Sequence, residues 1–178
     1  ANMLSTEEVD AFMNQIPVEE LANEPNWSII YNNIRQPESE TFERLVKNEE
    51  LFGEKVNAYV ENVFYYDLVN AYRRAKTDEQ KEAFEARKSE IMSQKFANQE
   101  RMAFRLNTYI MQANDEWDDY CSTCIDQVNK YFWDDANALN NYAWNVFEHS
   151  KNPEHLNAAL VWAKRATELD RSHHILDT

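Results

Sequence analysis

Apolar residues recur at three- and four-residue steps along nearly the whole chain, the signature of amphipathic helices. Ser5 or Thr6 is placed to cap a first helix with Val9, Phe12, Met13 and Ile16 on one face. Pro25 stands near the start of a second, whose stripe is Trp27, Ile30, Tyr31 and Ile34 and which Pro37 ends. Ser39 caps Thr41–Glu50, with Phe42, Leu45 and Val46 inward. Gly53 marks a boundary before a long helix that carries Val56, Tyr59, Val60, Val63, Phe64, Leu68, Ala71 and Tyr72. Thr77 or Asp78 opens a mostly charged helix with a thin stripe of Phe84, Ile91 and Met92, the one expected to face solvent.

From about residue 99 the pattern becomes one of helical hairpins. Met102, Leu106, Tyr109, Ile110 and Ala113 line one helix; Asn114 or Asp115 caps the next, which holds Trp117, Cys121, Cys124, Ile125, Val128 and Phe132. Asp134 or Asp135 caps a third, and Asn152 with Pro153 at the first helical position opens a fourth. The pattern predicts about nine helices joined by short turns. The expected fold is all-α, an array of antiparallel helical hairpins forming an α-α superhelix. Residues 1–98 are its irregular part and 99–178 its repeat-like part, in one continuous structural unit.

Composition sharpens this picture. With 1 Gly and 4 Pro in 178 residues, the tight turns of a β-sandwich and any Gly-rich phosphate loop are excluded. Apolar residues at 43% and aromatics at 13% argue for a packed core rather than disorder. The formal charge of −14 disfavours nucleic acid and anionic membrane surfaces as partners. The excess of acid is largest in residues 1–50, which carry a net −8. No apolar run reaches bilayer-spanning length, and the first residues have neither a basic segment nor an apolar core of the signal-peptide kind.

The last two helices carry a tetratricopeptide-like spacing. Leu139, Tyr142, Ala143 and Val146 stand at the positions of the first helix, and Ala159, Ala163 and Ala166 at those of the second. The sequence LDRS at 169–172 stands where the repeat usually ends in LDP, so Arg171 replaces Pro, and the loop between the helices is longer than the norm. One period upstream, Cys121 falls on the small position, Ile125 on the large apolar one and Val128 on the Leu position. One period downstream falls near Leu176 and Asp177, so the chain is expected to be cut as another repeat begins, at Thr178.

The stretch LNNYAWNVFEHSKNPEHLNAALVWAKRATELD with its ending ILDT resembles the C-terminal helical region of Bacteroidetes thioredoxin-like, thiol:disulfide interchange proteins. NEPNWSIIYNNI followed by FERLVKNEELFGEKVNAYV is similar to the same region. The family's catalytic Trp-Cys-x-x-Cys element lies in a thioredoxin domain and has no counterpart in this sequence, so no catalytic residue carries over. The resemblance implies an exported, periplasmic, multidomain protein of which this chain is the non-catalytic part.

Two constellations remain as candidate chemistry. Cys121-Ser-Thr-Cys124 has the spacing of a dithiol redox pair, yet it sits two turns inside a predicted helix, behind Asp115, Glu116, Asp118 and Asp119. Those acids raise a thiol pKa, and two small core residues on one face is the favoured reading. Zinc, calcium, di-iron and Ser/His/Asp arrangements find no supporting spacing, and no cofactor is expected. The second constellation is Asn137, Asn140, Asn141, Trp144 and Phe147, the groove-facing set of a tetratricopeptide hairpin, able to hold an extended peptide or protein partner. Ordinary inter-repeat packing is the competing account of those side chains. The expected function is therefore a non-enzymatic scaffold or protein-interaction domain. Its alternatives are redox activity at Cys121 and Cys124, or a spacer or dimerisation module.

Overall fold

The structure, a computed structural model, describes residues 4–170. Among them the fold is all-helical, with no strand. The α-helices are α1 (Thr6–Met13), α2 (Asn26–Asn33), α3 (Glu40–Lys47), α4 (Glu54–Arg74), α5 (Asp78–Ser93), α6 (Gln99–Ala113), α7 (Trp117–Phe132), α8 (Ala136–His149) and α9 (Pro153–Leu169). Short 3-10 turns cover Val18–Glu20 and Glu49–Leu51. The expected period past Thr178, and Arg171 in LDRS, lie outside the described residues.

The chain divides into two compact units, Ala1–Leu106 and Asn107–Thr178. The division falls inside α6, whereas the sequence pattern placed its change of character at residue 98. The first half of α6 belongs with α4 because Arg101 and Arg105 reach back to one carboxylate there. Arg101 Nε donates to Glu61 Oε2 at 2.7 Å, and Arg105 Nη1 to Glu61 Oε1 at 2.6 Å. Glu61 is buried, with 1% of its surface exposed. The periodicity of α6 is continuous through residue 106, so hydrophobic pattern alone carries no sign of the break.

In the N-terminal unit, short helices are fixed by their ends. Ser5 and Glu8 form a reciprocal capping box on α1, and Thr77 and Gln80 do the same on α5. Helices α1 and α3 cap one another. The Asp10 carboxylate accepts from the backbone N–H of Glu40 (3.0 Å) and Thr41 (2.9 Å) and from the Ser39 hydroxyl (2.7 Å), at the start of α3. Burial opposes the charge on Asp10, but the hydrogen bonds from Thr41 and Ser39 outweigh it and lower its pKa. In return, Arg44 of α3 donates to the carbonyls of Met13 (2.6 Å) and Ile16 (2.7 Å) at the end of α1. The core between these ends is aromatic. Trp27 meets Tyr59 edge-on at 5.2 Å, and Phe42 meets Phe64 at 5.0 Å. Phe12 and Tyr31, expected to face inward, are each 49% exposed. Both sit at the edge of the stripe of an eight-residue helix, which is too short to bury a wide face.

In the C-terminal unit, α6 ends in a Schellman motif. The Glu116 N–H donates to the Met111 carbonyl at 2.9 Å and the Asp115 N–H to the Gln112 carbonyl at 3.3 Å, with Asp115 left-handed at φ 59. Asp115 therefore closes α6 instead of capping α7, whose N-cap is Glu116 without a side-chain bond. Asp135 caps α8 through the Ala138 N–H, and Asn152 caps α9 through the Glu154 N–H with Pro153 next. Helices α8 and α9 form a hairpin joined by residues 150–152. Ala143, Ala159 and Ala166 are buried, and side chains this small let two helix backbones approach closely. Helix α7 lies along one side of the hairpin. Asn145 Nδ2 donates to the Tyr120 hydroxyl at 3.0 Å, and Trp162 Nε1 to Asn129 Oδ1 at 2.7 Å.

Candidate functional site

Cys121 and Cys124 occupy the second turn of α7 and are 1% and 0% exposed, both as free thiols. Burial pushes both thiols up in pKa, with Asp118 adding to the effect at Cys121. Attack on a disulfide needs an accessible thiolate, and a redox thiol of this spacing normally sits at a helix N-terminus. Here the pair fills the seam beside Tyr120, whose hydroxyl burial also raises in pKa. Among the described residues there is no group of three or more His, Cys, Asp or Glu able to hold a metal ion. No helix among them is long and apolar enough to cross a membrane.

The α8 residues have a different environment. The face of α8 that holds Tyr142, Asn145 and His149 meets α7: Tyr142 meets Phe132 at 5.4 Å, and His149 stacks on Trp117 at 3.4 Å. The face that holds Leu139, Ala143 and Val146 is buried. At 100° per residue, Asn137, Asn140, Asn141, Trp144 and Phe147 fall on the remaining sector, away from α7. Asn137 and Asn141 are exposed, Trp144 is 42% exposed and Phe147 63%. The Trp144 and Phe147 rings lie 6.0 Å apart, tilted by 38°. Asn140 is half-buried, and its Oδ1 is a buried oxygen without a hydrogen-bond partner. On α9, Leu160 is 69% exposed on the side of the hairpin that α7 leaves open.

Sequence reasoning gives no sign of a second region, a cleft of about 1050 Å³ within the N-terminal unit. It is lined from α3, the Glu49–Leu51 turn, α4, α5 and residues 94–97. Glu49 is 9% exposed; its Oε2 accepts the Ala97 N–H at 2.6 Å, while its Oε1 has no partner. Burial raises the Glu49 pKa against the pull of the Ala97 bond, and Glu50 and Glu54 add to the rise. Asn57, from α4, presents another buried oxygen without a partner. In sequence, Glu49 and Asn57 are an acid in a Glu-rich turn and an amide early in a helix, and neither stands out from a solvated surface.

Comparison with protein-family models, with curated proteins and with solved structures returns no match for this chain.

Proposed function

We propose that this chain is a non-enzymatic scaffold, a protein-interaction domain whose α8–α9 hairpin is tetratricopeptide-like and takes a peptide or protein partner on the outer face of α8. The observation that carries the reading is the exposure of Trp144 and Phe147 on one sector of α8. Two large aromatic side chains held in water at 42% and 63% exposure forgo burial worth about 1.5–3 kcal/mol each for a full side chain. Aromatic anchors of this kind dominate binding energy at interfaces. Asn140, with its unpartnered Oδ1, and exposed Asn141 flank them with groups suited to the backbone of an extended peptide. The resemblance in sequence extends the proposal: the domain would accompany a thioredoxin-like catalytic domain in an exported protein and present partners to it.

The test is peptide selection by display against the folded protein, followed by titration of the selected peptides. Trp144→Ala with Phe147→Ala should weaken binding at least thirtyfold while leaving the far-UV circular dichroism unchanged. Selected peptides that bind the double variant as well as the parent would place the interaction elsewhere and overturn the reading.

A further inference from the structure

We infer that the cleft of the N-terminal unit binds a primary ammonium group on an aliphatic stem, with the side chains of Glu49 and Asn57 as its acceptors. Buried polar atoms in folded proteins are almost always paired, so two orphaned oxygens on residues that line one cleft call for an explanation. Both orphans, Glu49 Oε1 and Asn57 Oδ1, are acceptors. The matching ligand group must therefore supply N–H donors.

Charge points the same way. Six carboxylates line the cleft against three basic side chains. Of the three, Lys47 is held by Glu43 at 2.6 Å, Arg87 is held by Asp67 at 2.9 Å, by Glu90 at 3.1 Å and by Glu38, and Lys95 is exposed, so the carboxylates remain in excess. An anion would meet uncompensated carboxylates, and a cation is drawn in. The aromatic lining suits a cation on a hydrocarbon stem. Phe64 lies 5.0 Å from Phe42 and 5.0 Å from Phe96, and ring faces attract both methylenes and positive charge.

The pattern of acceptors selects ammonium over guanidinium. A guanidinium gains most from a carboxylate that offers both oxygens to its planar fork. At Glu49 a planar fork would have to share Oε2 with the Ala97 N–H, whereas Oε1 has no partner and suits a single compact donor. An ammonium is compact and carries three freely rotating donors, which serve acceptors on two separate side chains. The chemistry is shared by a lysine side chain and by a free linear polyamine. The inference concerns the N-terminal unit alone and stands independently of the α8 surface.

The experiment is calorimetric titration at constant ionic strength with three probes: 1,5-diaminopentane, spermidine and Nα-acetyl-lysine N-methylamide. Saturable one-site binding is expected, weakened at least tenfold by Glu49→Gln and at least threefold by Asn57→Ser. Glu50→Gln, which removes a carboxylate from the same lining but leaves both orphaned acceptors, should change it less than threefold. The Ala97 amide should shift in the nitrogen–proton correlation spectrum, because it shares the Glu49 carboxylate. Tighter binding of the lysine derivative supports a peptide as the source, and tighter binding of spermidine or diaminopentane supports a free polyamine. Absence of saturable binding by all three probes overturns the inference. Equal weakening by Glu49→Gln and Glu50→Gln also overturns it, as the signature of diffuse charge. Circular dichroism checks that each variant is folded, and Asn57→Ser decides the matter should Glu49→Gln not fold.

Discussion

Glu61 is a buried carboxylate that ties α6 to α4 in the N-terminal unit. It lies about two turns into α4 with 1% of its surface exposed, and two arginines one helical turn apart on α6 each give it a hydrogen bond, at 2.7 and 2.6 Å. Removing one partner from a fully buried ion pair costs about 3–5 kcal/mol, because the remaining charge is left dry. Here the arginine side chains retain 25% and 22% exposure, so water recovers part of that penalty. Arg101 also keeps Glu54 at 3.0 Å, while Arg105 keeps Asn62 at 3.0 Å and the Tyr65 ring at 4.1 Å. Glu61→Gln preserves the volume and one acceptor, and is expected to cost about 2–3 kcal/mol. Glu61→Ala adds lost packing and is expected to cost about 3–4 kcal/mol. Urea unfolding followed by circular dichroism should show a lower midpoint at unchanged slope. Double-mutant cycles of Glu61→Gln with Arg101→Met and with Arg105→Met should each return a coupling of about 1 kcal/mol or more. A Glu61→Gln variant within about 0.5 kcal/mol of the parent would refute the argument, and would mean that the two arginines are satisfied by solvent.

Glu49→Gln should act in the opposite direction. The raised pKa means that the folded state favours protonated Glu49, so its contribution to stability is present below the ordinary carboxyl pKa of about 4.3 and is lost as pH rises through the folded value. The neutral variant should therefore unfold at higher urea than the parent at pH 7, and the gap should close on acidification below about pH 4; a gap independent of pH would contradict the burial argument. Asp115→Gly should raise the melting temperature by a few degrees, since it relieves a left-handed residue at φ 59, a gain of about 0.5–1 kcal/mol, while Asp115→Ala should lower it. Equal melting temperatures for the Gly and Ala variants would show that Asp115 is not strained. Cys121 and Cys124 should react slowly with an alkylating agent in the native protein and quickly in denaturant, and replacing both by Ala should cost about 1–3 kcal/mol in lost packing. Rapid native alkylation at neutral pH would return the dithiol reading to consideration.

Most of the architecture is written locally, and so it is legible. Ser5, Ser39, Thr77, Asp135 and Asn152 all cap the helices that their positions predict, because a cap is a contact within one turn. The stripe of α4 is legible for the same reason: Val56, Tyr59, Val60, Val63, Phe64 and Leu68 are all buried. The exposure of α5 follows from its thin stripe, with Phe84 and Ile91 its buried residues. The misreading at Asp115 has a physical cause. Asp serves both as an N-cap and, less often, as a left-handed C-terminal residue, and the choice depends on where the preceding helix ends.

The contacts that distinguish one glutamate from another are not local. Glu49 stands among other glutamates in sequence and Glu61 within the apolar, aromatic stretch VNAYVENVFYY, yet both end up buried. The partners of Glu61 lie forty and forty-four positions away on α6, at the i and i+4 spacing that lets two guanidiniums converge on one carboxylate. Glu49 reaches forward forty-eight positions to a single backbone N–H, and its other oxygen receives nothing from the chain. A fold that supplies two arginines to one buried carboxylate and leaves another half-satisfied in a cleft departs from its own rule at that second position. Such departures tend to collect where a protein meets a ligand, since stability is given up there for something other than the fold. The contrast therefore separates the two glutamates by role. Glu61 holds α6 to α4, and Glu49 is the acceptor left open for an incoming donor.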